Sequence, residues 1–501
     1  MLDYSFLEIL SSLTRDELKS FRRFLVSPYF NRSQKVVKLY DRLIKYYPSF
    51  DNTAISKENL HKYVSPKLPY NEITMRRLLL DLQKLCEKYM SQVFLEKKDA
   101  ETRLFAVEEM AIRGTERMHA HSVRDIKSIL NKNELIDANS CMNFFRLETE
   151  QFYFNMIYGK VDKNSFVESE ARKLINGISY LISYFMLEAI KHNDVLLNYS
   201  RSFNVKGNEK FISQFISLFD LERLEIFMKE HSLAGHGIIK VYINTLRSYL
   251  YMDNEYYYHE FRKSLYGNLD KLSSSDAHFL FSRIVGYCLL KTKRTEKFLE
   301  FFEKEQLLHY KTILSSKYYE TDANKYISTD LFRNILIQAA KLGELKWMEE
   351  FIEEYGMKLH PGKRAEVILY ANAMLYFERN AYDEALSCLS RINSEEFSYH
   401  IDIRNLYIRI YFEQEDYESA LSSARSFRKF LKTNPMVAED KKANNLQFTG
   451  FIIKLINYFN TNSKTDLTSL EMQIRKSENS ITKFWLLDKV TRLEKSARRA
   501  V

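Results

Sequence analysis

Two stretches decide the fold: YANAMLYFERNAYDEALSCL at 370–389 and NLYIRIYFEQEDYESALSSA at 405–424. Set 35 residues apart, Tyr376 meets Tyr411, Phe377 meets Phe412, Tyr382 meets Tyr417, Ala385 meets Ala420 and Leu386 meets Leu421. In each stretch an apolar run at helical spacing ends in a few polar residues, and a second apolar run follows at once. That is the pattern of two antiparallel helices joined by a short turn. A small Ala lets the two helices approach closely, and the aromatics fill the groove between neighbouring pairs.

This pattern resembles the tetratricopeptide repeat (TPR), whose period is about 34 residues. Weaker copies precede it. LIQAAKLGELKWMEEFIEEY (336–355) has Gly343 at the turn and Met348 where Ala385 stands, and TLRSYLYMDNEYYYHEFRKSL (245–265) has Asn254 at the turn and His259 at that place. No clear copy precedes about residue 230. The resemblance implies a right-handed α-solenoid of TPR-like helix hairpins, with the first helix of each pair lining a concave groove. It places Tyr370, Met374 and Phe377 of one repeat, and Asn405, Arg409 and Phe412 of the next, on that face. Of these, Tyr370, Met374, Asn405 and Arg409 are the partner-binding candidates, and the partner expected is an extended or helical segment of another protein.

Working outward, the whole composition is that of a helical chain. Gly numbers 12 and Pro 6 in 501 residues, too few for the many turns of a β-rich protein. Phe and Tyr together number 69, which suits wide contacts between stacked helices. The length suggests about three domains or one extended array. The reading is all-α: a basic helical N-terminal module at 1–97, helical hairpins at 98–236, a TPR-like array at 237–479, and a capping helix with a basic tail at 480–501. In the N-terminal module, Thr14 with Glu17 forms a capping box, and Asn31 with Gln34 is a second candidate. Ser27-Pro28 ends the helix between them. Further helices are expected over about 57–64 and 71–96, with SPKLPY (65–70) as the turn. Through SPYFN (27–31) and PYNEITMRRLLLDL (69–82), the module resembles the N-terminal segment of a group of uncharacterised bacterial helical proteins, a resemblance that implies no function.

Charge is uneven. Residues 1–98 hold 18 Lys/Arg against 11 Asp/Glu, residues 441–501 hold 12 against 5, and the stretch between holds 45 against 50. Two basic ends hint at an anionic partner. The helix, turn and helix at 57–96 has the outline of a helix-turn-helix, with Lys67 in the turn and Arg76, Arg77 and Lys84 on the second helix as candidate nucleic-acid contacts. The apolar face expected of that helix is Ile73, Leu78, Leu79, Leu82, Leu85 and Tyr89.

Other chemistries find little support. Cys86, Cys141, Cys288 and Cys388 lie far apart, without metal or redox spacing. His119 and His121 point to different helix faces. Gly235-His236-Gly237 and Pro361-Gly362-Lys363 lack the rest of a phosphate loop. No nucleophile motif is present. No cofactor and no metal are therefore expected. The longest apolar runs fall short of the about 18 residues a membrane span needs, and the N-terminus lacks a secretory signal's basic residues, so a cytoplasmic protein is expected. The function expected is a non-enzymatic interaction scaffold. The alternatives are a nucleic-acid-associated regulator and an enzyme whose active site has no sequence signature.

Overall fold

The structure, a computed structural model, describes residues 5–50, 55–132, 137–159, 164–203, 211, 214, 218, 220–233, 235–294, 299–320, 324–392, 397–434, 437, 439–461, 467–477 and 480–499. These residues are overwhelmingly helical and form no strand. The chain divides into two compact units, one of 1–133 with 143–177 and one of 134–142 with 178–501.

The first unit opens with α1 (Ser5–Ser12), α2 (Arg15–Val26), α3 (Gln34–Leu43), α4 (Lys57–Val64) and α5 (Glu72–Glu96). Thr14 caps α2 in a complete capping box with Glu17, and α2 stops at Val26, before Pro28. The second expected capping box does not form. Ser33, not Asn31, precedes α3, and it makes no side-chain cap bond. Asn31 instead ties the connecting loop together, its Nδ2 donating to the Leu25 carbonyl at 2.9 Å and its Oδ1 accepting from the Ser33 amide at 2.9 Å. The core joins α1, α2, α3 and α5 through Phe6, Phe21, Tyr40 and Leu82, and Tyr40 Oη donates to the Leu18 carbonyl at 2.8 Å. The chain continues through α6 (Asp99–Ile112), α7 (Glu116–Lys132), α8 (Ala138–Tyr158) and the 40-residue α9 (Asn164–Phe203).

In the second unit, α10 (Leu221–Glu230) is followed by helices in pairs. These are α11 (His236–Leu250) with α12 (Glu255–Tyr266), α13 (Ser274–Arg294) with α14 (Leu299–Ser315), α15 (Thr329–Lys341) with α16 (Leu345–Gly356), α17 (Pro361–Glu378) with α18 (Tyr382–Ser390), α19 (Phe397–Glu413) with α20 (Tyr417–Thr433), and α21 (Glu439–Thr461) with α22 (Leu467–Arg475). A last helix is α23 (Ser480–Arg499). Within each of the first five pairs, and between α22 and α23, the helices pack on each other. First helices of successive pairs also touch, α11 with α13, α15 with α17 and α17 with α19, and α21 touches the last helix, α23.

One turn recurs in three of these pairs. Gly343, Asn380 and Glu415 each adopt a positive φ, of 70°, 59° and 60°. The next amide donates five residues back: Glu344 to Ala339, Ala381 to Tyr376, and Asp416 to Tyr411, at 2.9–3.0 Å. This is a Schellman cap, which satisfies the last carbonyls of the first helix and reverses the chain. The second helix opens two residues later, and Met348, Ala385 and Ala420, one turn in, are fully buried. The α11–α12 turn differs. Asn254 is the N-cap of α12 and has a negative φ, so the residue one turn in is Tyr258, fully buried, while the expected His259 is exposed. In the first unit the α6–α7 turn repeats the Schellman geometry, with Gly114 at φ 64° and Thr115 N–H donating to Met110 O at 3.0 Å. The sequence showed no repeat there.

Candidate functional site

The proposed groove residues lie mostly inside the second unit. Tyr370 is 3% exposed and meets Tyr399 edge-on at 5.1 Å, and Met374 is also buried. Arg409 is 8% exposed, and its guanidinium stacks over the Phe377 ring at 4.1 Å and donates to Glu378 Oε1 at 3.2 Å. Asn405 is half-buried, donating to Asn445 Oδ1 at 2.9 Å. These four residues therefore do not form an open recognition face. A one-residue change of register turns a helix face by about 100°, and repeat matching alone does not fix which of two adjacent residues points outward.

Other positions on the same two helices stay half-buried at equivalent places. Leu369, Asn372 and Tyr376 on α17 are half-buried, and so are their counterparts 35 residues on, Arg404, Tyr407 and Tyr411 on α19. Spaced i, i+3 and i+7, each set shares one helix side. Tyr407 and Tyr411 stack at 6.1 Å, and burial raises the Tyr407 hydroxyl above its ordinary pKa. Arg404 lies over the Phe430 ring at 4.6 Å. This half-open row of aromatic, amide and cationic groups occupies the first helices, where partner recognition was expected.

Around Arg409 the sequence reading missed a clamp. Trp485 Nε1 donates to Glu413 Oε1 at 2.5 Å, and Lys489 Nζ donates to Glu413 Oε2 at 2.8 Å. Trp485 and Lys489 sit four apart on α23, so both reach Glu413, the last residue of α19, more than 70 residues earlier in the chain. No local pattern links positions so distant. Arg333 and Asp402 make a further two-pronged pair between α15 and α19. Burial pushes the Glu378 carboxyl up and the Arg409 guanidinium down, so desolvation outweighs their mutual attraction.

On the first unit, all four candidate nucleic-acid contacts are exposed: Lys67, Arg76, Arg77 and Lys84. None forms an ion pair among the described residues. Asn71 caps α5 by accepting from the Thr74 amide at 2.8 Å, which leaves seven residues, Ser65 to Asn71, between α4 and α5. Ile73, expected in the core, is 80% exposed, and Met75 takes the buried place. The exposed positions of α5 thus include the apolar Ile73 and Leu80, the basic Arg76, Arg77, Lys84 and Lys88, and the acidic Glu72 and Glu87. Beside it a concavity of about 460 Å³ is lined by Phe30, Arg32, Ser33, Asp81, Lys84 and Leu85. It brings together the SPYFN and RRLLLDL segments, which are about 50 residues apart in sequence.

Another cluster of titratable groups is closed. His309 is fully buried, with Nε2 3.1 Å from Tyr258 Oη and Nδ1 2.9 Å from Tyr266 Oη. Tyr258 Oη also donates to Glu305 Oε2 at 2.7 Å and takes a contact from Cys288 Sγ at 3.7 Å. Burial pushes the Cys288 thiol up to about 12 and, with Arg262 nearby, pushes His309 down to about 3. Both are neutral at neutral pH, so this is not an activated thiolate–imidazolium pair. His119 is buried against Phe154, and His121 is paired with Asp125. Among the described residues no group of three or more His, Cys, Asp or Glu is placed to hold a metal ion, and no helix is long and apolar enough to cross a membrane. Comparison of the chain with protein-family models, with curated proteins and with solved structures finds no match.

Proposed function

We propose that the chain is a non-enzymatic α-solenoid scaffold, whose TPR-like array holds another protein against the first helices of its pairs. The carrying observation is the equivalent half-open row repeated on α17 and α19, set by hairpins that share one turn geometry. The partner would lie across Asn372 and Tyr376 of one repeat and Tyr407 and Tyr411 of the next. Tyrosine supplies broad contact area at low entropy cost, and the amide reads a partner backbone. No cofactor is needed for this role. The test is affinity purification of the full chain from its native cells, beside the variant Asn372→Ala, Tyr407→Ala, Tyr411→Ala. Loss of the principal partner from the variant, with helicity unchanged by circular dichroism, is the expected result. Full retention sinks the assignment.

A second reading makes the basic first unit a nucleic-acid contact, and the exposed, unpaired Lys67, Arg76, Arg77 and Lys84 favour it. A duplex that shifts at near-physiological salt, and no longer does so on Arg76→Glu with Arg77→Glu, would support helix α5 as the reader. Binding that disappears by ~0.2 M salt would be a diffuse electrostatic effect.

A further inference from the structure

We propose that the concavity beside the 27–33 loop binds single-stranded nucleic acid, with a base stacked on Tyr29 and phosphates held by Arg32 and Lys84. The proposal rests on the second reading above and changes both the strand type and the reading residues. Its starting point is a side chain the fold does not use. Tyr29 is 84% exposed, on a loop held firmly from within. Its neighbour Phe30 stacks on Phe24 at 4.1 Å, and Asn31 pins the loop backbone through Leu25 and Ser33. The Tyr29 ring stands perpendicular to the Phe30 ring, centroids 5.0 Å apart. A lone exposed tyrosine is ordinary. This one directly precedes Phe30, which lines a concavity with Arg32 and Lys84 in its wall, and Lys88 lies one turn further on α5, over the Phe30 ring at 5.0 Å.

A rigid aromatic face among cations is how sequence-tolerant single-strand sites work, because every base has a π-face and every phosphate a charge. A duplex has its bases already stacked on one another, and an exposed tyrosine adds nothing to it. The concavity, at about 460 Å³, suits one or two nucleotides. Asp81 shares the wall and disfavours phosphate beside it. A carboxylate there accepts from an exocyclic amino group, as on cytosine, so the wall is suited to a base edge as well as to backbone. An acidic peptide gains nothing from Asp81 and little from the ring.

The test is fluorescence anisotropy of the full-length chain with a labelled mixed-sequence DNA single strand of about 20 nucleotides, and with its duplex, at ~0.15 M salt. Expected are preference for the single strand, a loss of about tenfold or more on Tyr29→Ala, recovery with Tyr29→Phe, and no binding by Arg32→Glu with Lys84→Glu. All of these positions are exposed, so the variants keep the fold, and Arg76→Glu with Arg77→Glu leaves single-strand binding in place. Single-strand binding indifferent to Tyr29→Ala overturns the proposal, as does equal competition by polyglutamate. Duplex preference that depends on Arg76 and Arg77 overturns it while leaving the second reading standing. No binding of either probe removes both.

Discussion

Arg409 holds a charge where water scarcely reaches, between the Phe377 ring at 4.1 Å and the Glu378 carboxylate at 3.2 Å. Such a pair gives little net stability when intact, because desolvating both ions offsets their attraction, but removing one partner strands the other. Arg409→Ala is therefore expected to cost about 3 kcal/mol, read as a lower urea midpoint. The double change Arg409→Met with Glu378→Leu should restore most of it, since an apolar pair of similar volume avoids both desolvations. If the double variant is as unstable as the single one, the pair contributes shape and not charge. This matters for function. A partner lost on Arg409→Glu would report a disturbed core, whereas Tyr407 and Tyr411 are half-open and test recognition directly.

At the scale of elements, the shared turn makes opposite predictions at two equivalent positions. Gly343 has φ 70°, and a Cβ built on it would meet no atom within 4 Å. Gly343→Ala thus isolates the backbone penalty and should cost about 1 kcal/mol. Glu415 already bears that penalty at φ 60°. Glu415→Gly should raise stability by about 0.5–1 kcal/mol, the relief of left-handed strain exceeding the added unfolded-state entropy. Thermal melts of both variants check the signs, and a stabilising Gly343→Ala would refute the argument. The same turn shows what sequence can and cannot reveal. Helices and hairpins were legible because apolar spacing, Pro28, Thr14 and the 35-residue recurrence are local signals. The outward face was not, since Tyr370 and Leu369 differ by a single position and both are large. The buried place falls on Tyr258 and not on the expected His259 for a similar reason: a cap at Asn254 replaces the left-handed residue and shifts the count by one. The Glu413–Trp485–Lys489 clamp and the Arg32–Lys84 wall depend on positions far apart in the chain, so no periodicity points to them.

At the scale of the whole molecule, the buried histidine ties the stability of the second unit to pH. Tyr258 Oη–H donates its hydrogen bond to Glu305, so His309 Nε2–H donates to the Tyr258 oxygen and Nδ1 accepts from Tyr266. That arrangement requires neutral imidazole. A second proton would have to sit on Nδ1, where Tyr266 now donates, in a site that is fully buried and faces Arg262. The folded pKa, pushed down to about 3, lies well below the ordinary 6.5 of an unfolded histidine. Between those values the unfolded chain binds one more proton than the folded one, so stability rises with pH and is lost as pH falls from 6.5. The expected loss is roughly 1.4 kcal/mol per pH unit from this residue alone. Carboxylates titrate in the same range, so the informative quantity is a difference. His309→Gln keeps a donor and an acceptor but cannot take up a proton. Urea titrations at several pH values between about 6.5 and 4 should give the wild type a steeper fall than the variant, by close to one proton in the linkage slope. Equal slopes would mean that His309 is protonated in the folded chain, and Nδ1–H would then have to donate to Tyr266 Oη while the Nε2–H to Tyr258 bond keeps its sense.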